Sequence, residues 1–403
     1  MNFLISALSG LSVVIWLVLL GLRGGFWQCD QVLEGGGEDE EGGGEHPTVW
    51  AVIPARNEAE LLPVTLRSLL QQDYPGELRV ILVDDHSTDG TGTVAQATAA
   101  SLGQAERLTI LAAAPLPTGW SGKLWAMDQG VQKALTASPD YILLTDADIY
   151  HDRWNVRRLV TQAEQHNLAM ASVMVRLRCE SSWEQLLIPA FVFFFQKLYP
   201  FRWVNDSQRS TAAAAGGCIL IRGDVLEQIG GLQTIRQALI DDCALAQVVK
   251  QREDEGDNSA IAGLRLSRKI WLGLSDLTCS LRPYPSLQTI WDMVARTAYT
   301  QLNYSPLLLL GTLVGMTIIY LIPPIAVGIG VMAGNTTIAL TGLTGWLLMT
   351  LAYYPTVRFY RCSPLFAVSL PAIALLYTFM TIDSAWRHWQ GQGGAWKGRV
   401  YPG

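Results

Sequence analysis

Residues 78–91 read LRVILVDDHSTDGT. Leu78 to Val83 is a short apolar-rich run with β-branched members, the pattern of a strand buried on both faces. Asp84 and Asp85 close it, Asp89-Gly90 is a turn signal, and a helical pattern follows. The same grammar recurs on either side. Val49 to Ile53 is a buried-type strand closed by Pro54; Asn57-Glu58 follows, and a helical pattern runs from Glu58 to Gln71. Leu108 to Leu111 is a third strand. Tyr141 to Thr145 is a fourth, and it runs into Asp146-Ala147-Asp148. Strands separated by helix-length segments imply right-handed βαβ units, hence an α/β fold with a doubly wound, mostly parallel sheet. Ligands of such sheets bind beyond the carboxyl ends of the strands. Asn57, Asp84-Asp85 and Asp146/Asp148 all fall there, each on its own strand end.

Half of the 403 residues are hydrophobic and only 16% are charged, an apolar balance that points to membrane segments. The net charge of -6 argues against a nucleic-acid partner. Six scattered cysteines without a CxxC pair read as reduced thiols, not as a disulfide framework or zinc site.

The acidic clusters carry the chemistry. Carboxylates at Asp84 and Asp85 can accept the uracil N3–H and ribose hydroxyls of a nucleotide; as mere helix caps, two in succession would be unnecessary. Asp146 and Asp148 form a DxD loop able to ligate a hard cation, Mg²⁺ or Mn²⁺, that in turn holds a diphosphate. His151 nearby reads as an ordinary loop histidine before a ligand. Gly119 to Ala126 (GWSGKLWA) sets glycines and Lys123 before a helix start, where free N–H groups suit phosphate oxygens, although the Walker spacing is absent. Ala212 to Gly217 lets a backbone pass close to a neighbour, either in tight packing or as a wall of a sugar and acceptor site. Asp241-Asp242 opens a further helical run. Spacing leaves this last pair as helix cap or as general base.

Phe3 to Leu22 has about the 20 apolar residues that span a bilayer, and lacks the basic n-region and cleavage site of a signal peptide. Arg23 on its C-terminal side places the following domain in the cytoplasm by the positive-inside rule. Further spans are expected at 307–332, 337–355 and 364–382, the first interrupted by Pro323-Pro324. Three such spans put the tail outside, whereas Arg387, Lys397 and Arg399 favour the inside. A re-entrant third segment reconciles the two. The resulting organisation is an anchor (1–23), an acidic Gly-rich flexible linker (24–47), an α/β domain (48–285), an interface helix (286–305) containing Arg296, membrane helices (306–383) and a basic, aromatic tail (384–403). Within the domain, 183–203 is aromatic, proline-interrupted and basic at its ends, as expected of a membrane-interface segment.

In this order the pieces resemble a family 2 glycosyltransferase of the GT-A fold. More closely, the chain is similar to the membrane-bound hopene-associated glycosyltransferases of bacterial hopanoid gene clusters. The matching stretches are GWSGKLWA (119–126), LTDADI (144–149), IPAFVFFFQKLYPF (188–201), AAAAGGCILIR (212–222), ALIDDCAL (238–245), SLRPYPSL (280–287), MVARTAYTQLNYSPLLLLGT (293–312) and GGAWKGRVYP (393–402). The resemblance implies that Asp84 and Asp85 bind the uridine, that Asp148 with Asp146 binds the metal, and that Asp242 is the catalytic base. It further implies that Pro54, Asn57, Glu58, Lys123, Gly217, Asp241 and Arg296 line the nucleotide-sugar site. One departure stands out: a (Q/R)xxRW motif on the interface helix is reduced here to Arg296. The implied activity is inverting transfer of one sugar from a UDP-sugar to a lipid hydroxyl, a hopanoid-like acceptor, at the cytoplasmic face of a bacterial inner membrane. A carotenoid or polyprenyl-phosphate acceptor and a non-catalytic scaffold that keeps the fold are the alternatives.

Overall fold

The computed structural model describes residues 2–33, 46–251 and 267–391, with the backbone of 395–396 and 399–400. The acidic run Glu34 to Glu45 and the tail residue Lys397 lie outside the described residues. The strands are β1 (Val49–Ala55), β2 (Leu78–Asp84), β3 (Leu108–Ala112), β4 (Tyr141–Thr145), β5 (Ile149–Tyr150), β6 (Met170–Arg176), β7 (Cys218–Arg222) and β8 (Ile270–Ser280). They form one sheet in the order β3-β2-β1-β4-β7-β6-β8-β5. The pairs β3–β2, β2–β1, β1–β4 and β6–β8 are parallel, whereas β7 runs antiparallel to both β4 and β6. The order reverses at β1/β4, the switch point where a ligand crevice opens in such sheets.

Alternation along each strand explains how both faces are covered. Val52, Ile81, Val83, Ile142 and Leu144 face one apolar cluster, which includes Leu124 and Met127 from helix α4. Ala51, Ile53, Val80, Leu82 and Leu143 face the other, packed by Leu66, Ala95 and Leu159. The chain's helices are α1 (Asn2–Leu22), α2 (Leu62–Leu70), α3 (Thr91–Ser101), α4 (Gly122–Leu135), α5 (Asn155–Gln165), α6 (Ser182–Leu198), α7 (Phe201–Val204), α8 (Gly223–Gln228) and α9 (Asp241–Gln251). They continue with α10 (Leu287–Ala295), α11 (Pro306–Met316), α12 (Ile322–Met332), α13 (Thr336–Phe359), α14 (Leu365–Val368) and α15 (Leu370–Trp389).

Two local expectations shift. Pro54 does not close β1: it pairs opposite Val83, while the β4 side of the ladder stops at Val52, so its missing N–H costs no ladder bond on that side. The helix expected from Glu58 begins only at Leu62. Asn57 adopts a left-handed conformation (φ 53°), and the amides of Asn57, Glu58 and Ala59 are taken by Ser87, Thr91 and Asp89. A loop committed to those partners cannot also be helical.

Among the described residues, three helical stretches are long and apolar enough to cross a membrane: Asn2–Leu22, Pro306–Met332 and Thr336–Phe359. Pro323-Pro324 does not divide the second. Residues Thr317–Leu321 form a π-helical turn between α11 and α12. Pro323 has no N–H to offer the Ile319 carbonyl; Trp16 Nε1 (3.0 Å) and Ser12 Oγ (3.2 Å) donate to it from α1 instead. The proline step thus becomes a docking point for the first helix, as buried kinks in apolar surroundings require. The hairpin of α12 on α13 is close: a Cβ on Gly342 would lie 2.6 Å from the Pro323 carbonyl oxygen.

The third expected C-terminal span, 364–382, is not among the stretches that length and composition single out. The segment is split at Ser369 into α14 and α15, and α15 ends in Asp383, Arg387 and His388, so it is not among the three apolar stretches. Its two ends lie on the α/β side. Arg361, just before it, faces Asp276 of β8 (3.5 Å), and Arg387 pairs with Asp292 of α10 (2.7 Å). Between them, Tyr377 donates to the Leu187 carbonyl of α6 (2.9 Å). Helices α6, α10 and α15 therefore pack as one layer between the sheet domain and the apolar hairpin. Pro189 lies inside α6, Tyr199 caps its end, and Pro200 starts the short α7.

Candidate functional site

The strand ends of β1, β2 and β4 meet at the reversal of strand order. At the β2 end, Asp84 Oδ1 accepts from Ser87 N (2.9 Å), and Asn57 Oδ1 accepts from Thr88 N (2.8 Å). Asp89 braces the turn, accepting from Thr91 N and from Ala59 N, both at 3.0 Å. Asp85 is buried; its carboxylate meets His86 Nδ1 at 3.1 Å and Arg56 Nη1 at 3.5 Å. Asn57, Asp84 and Asp85 are thus brought together on two adjacent strands. Pro54 is buried in β1 behind them.

The β4 end is built on ion pairs. Ser121 caps α4, its Oγ accepting from Leu124 N (3.3 Å). That start projects Lys123 between Asp146 (2.9 Å) and Asp241 (3.6 Å). Burial alone opposes the Lys123 charge, but Asp146 and then Asp241 outweigh it and hold the ammonium above its ordinary pKa. Asp242 Oδ2 accepts from Gly216 N (2.8 Å), and Oδ1 from Cys243 N (2.7 Å). The pair at 241–242 thus turns to Lys123 and Gly216 across the cleft, while Asp242 also takes an amide at the start of α9. Burial, then the neighbouring Asp241, pushes the Asp242 carboxyl up to about 6.

The two glycines divide the work. A Cβ on Gly216 would lie 3.4 Å from Asp242 Oδ2 and 3.6 Å from Lys123 Nζ, so Gly216 is the residue facing this cluster. Gly217 packs against Val175 and Ile149 instead, and its carbonyl accepts from Thr145 Oγ1 (2.8 Å). His151 is fully buried behind it. Asn155 Nδ2 lies 3.0 Å from its Nδ1, and its Nε2 lies 2.9 Å from Thr145 Oγ1. Because an amide nitrogen only donates, Nδ1 accepts and the proton sits on Nε2. Burial depresses its pKa to about 3, so it is a neutral core histidine.

Sequence reasoning missed Arg282. Its Nε lies 2.6 Å from Asp148 Oδ2 and its Nη2 2.9 Å from Glu58 Oε1, so one guanidinium joins two buried carboxylates from the loops after β1 and β4. Asp148 is raised by burial and by Asp146, with Arg282 opposing. The signal lay in the SLRPYPSL stretch, which resembles the family but contains no residue type that spacing alone would single out. Arg296 is exposed at the end of α10. Burial raises the Tyr284 phenol, and Arg282 and then Arg296 oppose that shift.

Among the described residues no three His, Cys, Asp or Glu side chains form a ready-made metal site. The donor set still fits a hard cation. Mg²⁺ is bound through one or two carboxylates and completes its shell from substrate phosphates and water, and Asp146 and Asp148 are two carboxylates that would suit it at a strand end.

Comparisons agree with this architecture. Residues 50–230 match the family model described as Glycosyl transferase family 2. A probable glycosyltransferase, YdaM, of Bacillus subtilis (strain 168) is 26% identical over 243 residues, 58% of this chain and 53% of that protein. A 4,4'-diaponeurosporenoate glycosyltransferase of Staphylococcus aureus is 35% identical over 105 residues, 26% of this chain and 24% of its own length. The chain thus spans about half or less of the curated relatives it matches. Among solved structures, the mannosyltransferase PcManGT from Pyrobaculum calidifontis, in complex with GDP-Man and Mn²⁺, superposes with a TM-score of 0.52 at 17% identity. It covers 96% of this chain and 99% of its own, a likeness of fold. Residues 50–230 are thus similar to family 2 glycosyltransferases, on a sheet of the GT-A fold.

Proposed function

We propose that the chain is an inverting, metal-dependent glycosyltransferase that moves one sugar from a UDP-sugar to the hydroxyl of a membrane lipid of hopanoid type. The observation that carries this is the half-buried Asp242 carboxylate, set against Gly216 and beside the Lys123–Asp146 pair. A base with a pKa near 6 is ionised at neutral pH, yet basic enough to take a proton as it is released.

In the reaction, the acceptor oxygen attacks the anomeric carbon as the bond to the diphosphate breaks, and the acceptor proton passes to Asp242. Inversion follows from the single displacement. Asn57, Asp84 and Asp85 orient the nucleoside, and Lys123 holds a phosphate oxygen of the leaving UDP. Asp146 and Asp148 would hold the divalent cation, which supplies charge neutralisation of the departing diphosphate. Gly216 leaves room for the sugar beside the base.

The lipid acceptor rests on the layer of α6, α10 and α15 against the apolar hairpin. Arg23 donates to the Lys197 and Leu198 carbonyls at the end of α6, and Arg361 and Arg387 also pair on the α/β side. Cations gathered on one side of three apolar helices support a bacterial inner-membrane protein with this side in the cytoplasm. The segment 361–387 then enters and returns on that side. A carotenoid-type acceptor is a second reading, favoured by the likeness to the S. aureus enzyme.

Membranes containing the chain, given radiolabelled UDP-sugar, should place label in a single extractable lipid, and membranes with Asp242→Asn should not. Label found only in free sugar, or equal lipid label in both samples, defeats the proposal.

A further inference from the structure

Arg282 stands apart from the other basic residues of the cleft. It lies beyond the strands that carry the acidic motifs, on the segment after β8, and that segment is pinned at two points. Leu281 N donates to the Asp148 carbonyl (2.7 Å), so the backbone before Arg282 is tied to the DxD loop itself. Two residues on, Tyr284 N donates to Glu184 Oε1 (2.6 Å), and Glu184 is fully buried at the start of α6. β5 and β8 also pair Ile149 with Ser280. The main chain is therefore fixed against the loop, and the adjustable part is the side chain, 35% exposed to the cleft.

The guanidinium occupies the electrostatic place of a cation. It bonds Asp148 at 2.6 Å and Glu58 at 2.9 Å, two carboxylates that are 6% and 8% exposed. Without it, two buried negative charges would face each other across the cleft, with Asp146 beside them. A divalent ion arriving alone has to displace this arginine from Asp148, leaving a cation next to a cation. An ion arriving with a diphosphate meets a different balance. A planar fork with several donors is suited to phosphate oxygens as well as to carboxylates, so the displaced arm has an anion to go to.

We propose that Arg282 is a resident counter-ion that holds Asp148 and Glu58 in the empty site and turns to the diphosphate when the donor binds, so that divalent cation and nucleotide enter as a coupled pair. Arg282 is in this sense a positioning residue that acts through Asp148. The inference rests on the reading of Asp146 and Asp148 as the metal pair.

The test is binding, independent of turnover. Mn²⁺ is titrated into the purified full chain with and without UDP, and free Mn²⁺ is followed by electron paramagnetic resonance. In the wild type UDP should tighten Mn²⁺ by roughly 5–150-fold, the usual range of coupling between sites. Arg282→Gln should bind Mn²⁺ alone more tightly, with a UDP effect smaller than in the wild type, the remainder being the direct contact of cation and diphosphate. Arg282→Lys keeps a point charge without the fork and should fall between the two, which serves if the glutamine variant does not fold. A wild-type coupling that both variants preserve overturns the role of Arg282 alone. A wild type in which UDP binds and Mn²⁺ changes nothing overturns the metal reading and this inference together.

Discussion

At the Asp84–Asp85 end of the cleft, the polar groups are held within the turn after β2 and by the adjoining loop after β1. Asp84 takes the amide of Ser87, Asp89 takes that of Thr91, and Asn57 closes on Thr88 of the same turn. At the Asp146–Asp148 end the partners come from far along the sequence. Arg282 reaches Asp148 across 134 positions and Glu58 across 224, and Lys123 joins Asp146 to Asp241. One end is a preformed turn whose backbone donors are fixed by local geometry. The other is a set of balanced charges whose arrangement can change when a charged ligand enters. The contrast separates recognition from transfer: the rigid end suits a nucleoside, and the charge-balanced end suits a diphosphate whose charge changes during reaction.

The strongest way to break this comparison is at the base. Asp242→Asn should lower turnover by roughly 10²–10⁴-fold, the usual contribution of a general base, while UDP binding at the Asp84 end stays intact. Weak UDP binding with normal turnover would reverse the division. Next in size, Asp148→Ala should abolish the Mn²⁺-dependent part of UDP binding; calorimetry that finds identical UDP affinity with and without EDTA in both proteins would remove the metal from the transfer end.

A pH profile sharpens the comparison further. Asp242 is raised to about 6 chiefly by burial, and only its ionised form accepts a proton. The rate kcat/KM should therefore be level at neutral pH and fall in proportion to proton concentration below about 6. The stability sign is the opposite. A raised carboxylate pKa means the folded state holds its proton more tightly, so this residue's stabilising contribution is present in acid and is lost as pH rises through about 6. A profile unchanged in Asp242→Asn would detach the limb from this residue. The smallest effect is expected at the recognition end. Asp89→Ala should destabilise the domain by about 1 kcal/mol, as for loss of a helix-start side chain, and leave the Mn²⁺–UDP coupling unaltered. Thermal unfolding with and without UDP measures both.

Much of the recognition end was legible in the sequence, because its motifs are local. A buried strand such as Leu78–Asp84 shows itself by an apolar run, and the Asp-Gly turn by residue type. The strand ends aligned the acidic clusters once a parallel sheet was inferred. The antiparallel β7, the long β8 and the late start of α2 were not legible, since pairing direction and loop hydrogen bonds depend on neighbours far along the chain. Arg282 escaped for the same reason: an arginine before a proline has no spacing signature, and its partners lie in the loops after β1 and β4. Membrane helices stood out by composition, whereas the return of α14 and α15 toward the α/β side depends on pairs such as Arg387 with Asp292.

The sequence by itself determined the sheet class, the order of the acidic clusters and the apolar helices, because periodicity and composition follow from which faces must be buried. Only the tertiary structure decided which of two glycines meets Asp242, that His151 is a neutral core residue, and that Asp148 already has a cation beside it. Those are properties of charges and contacts converging from distant segments, and burial and proximity exist only once the chain has folded.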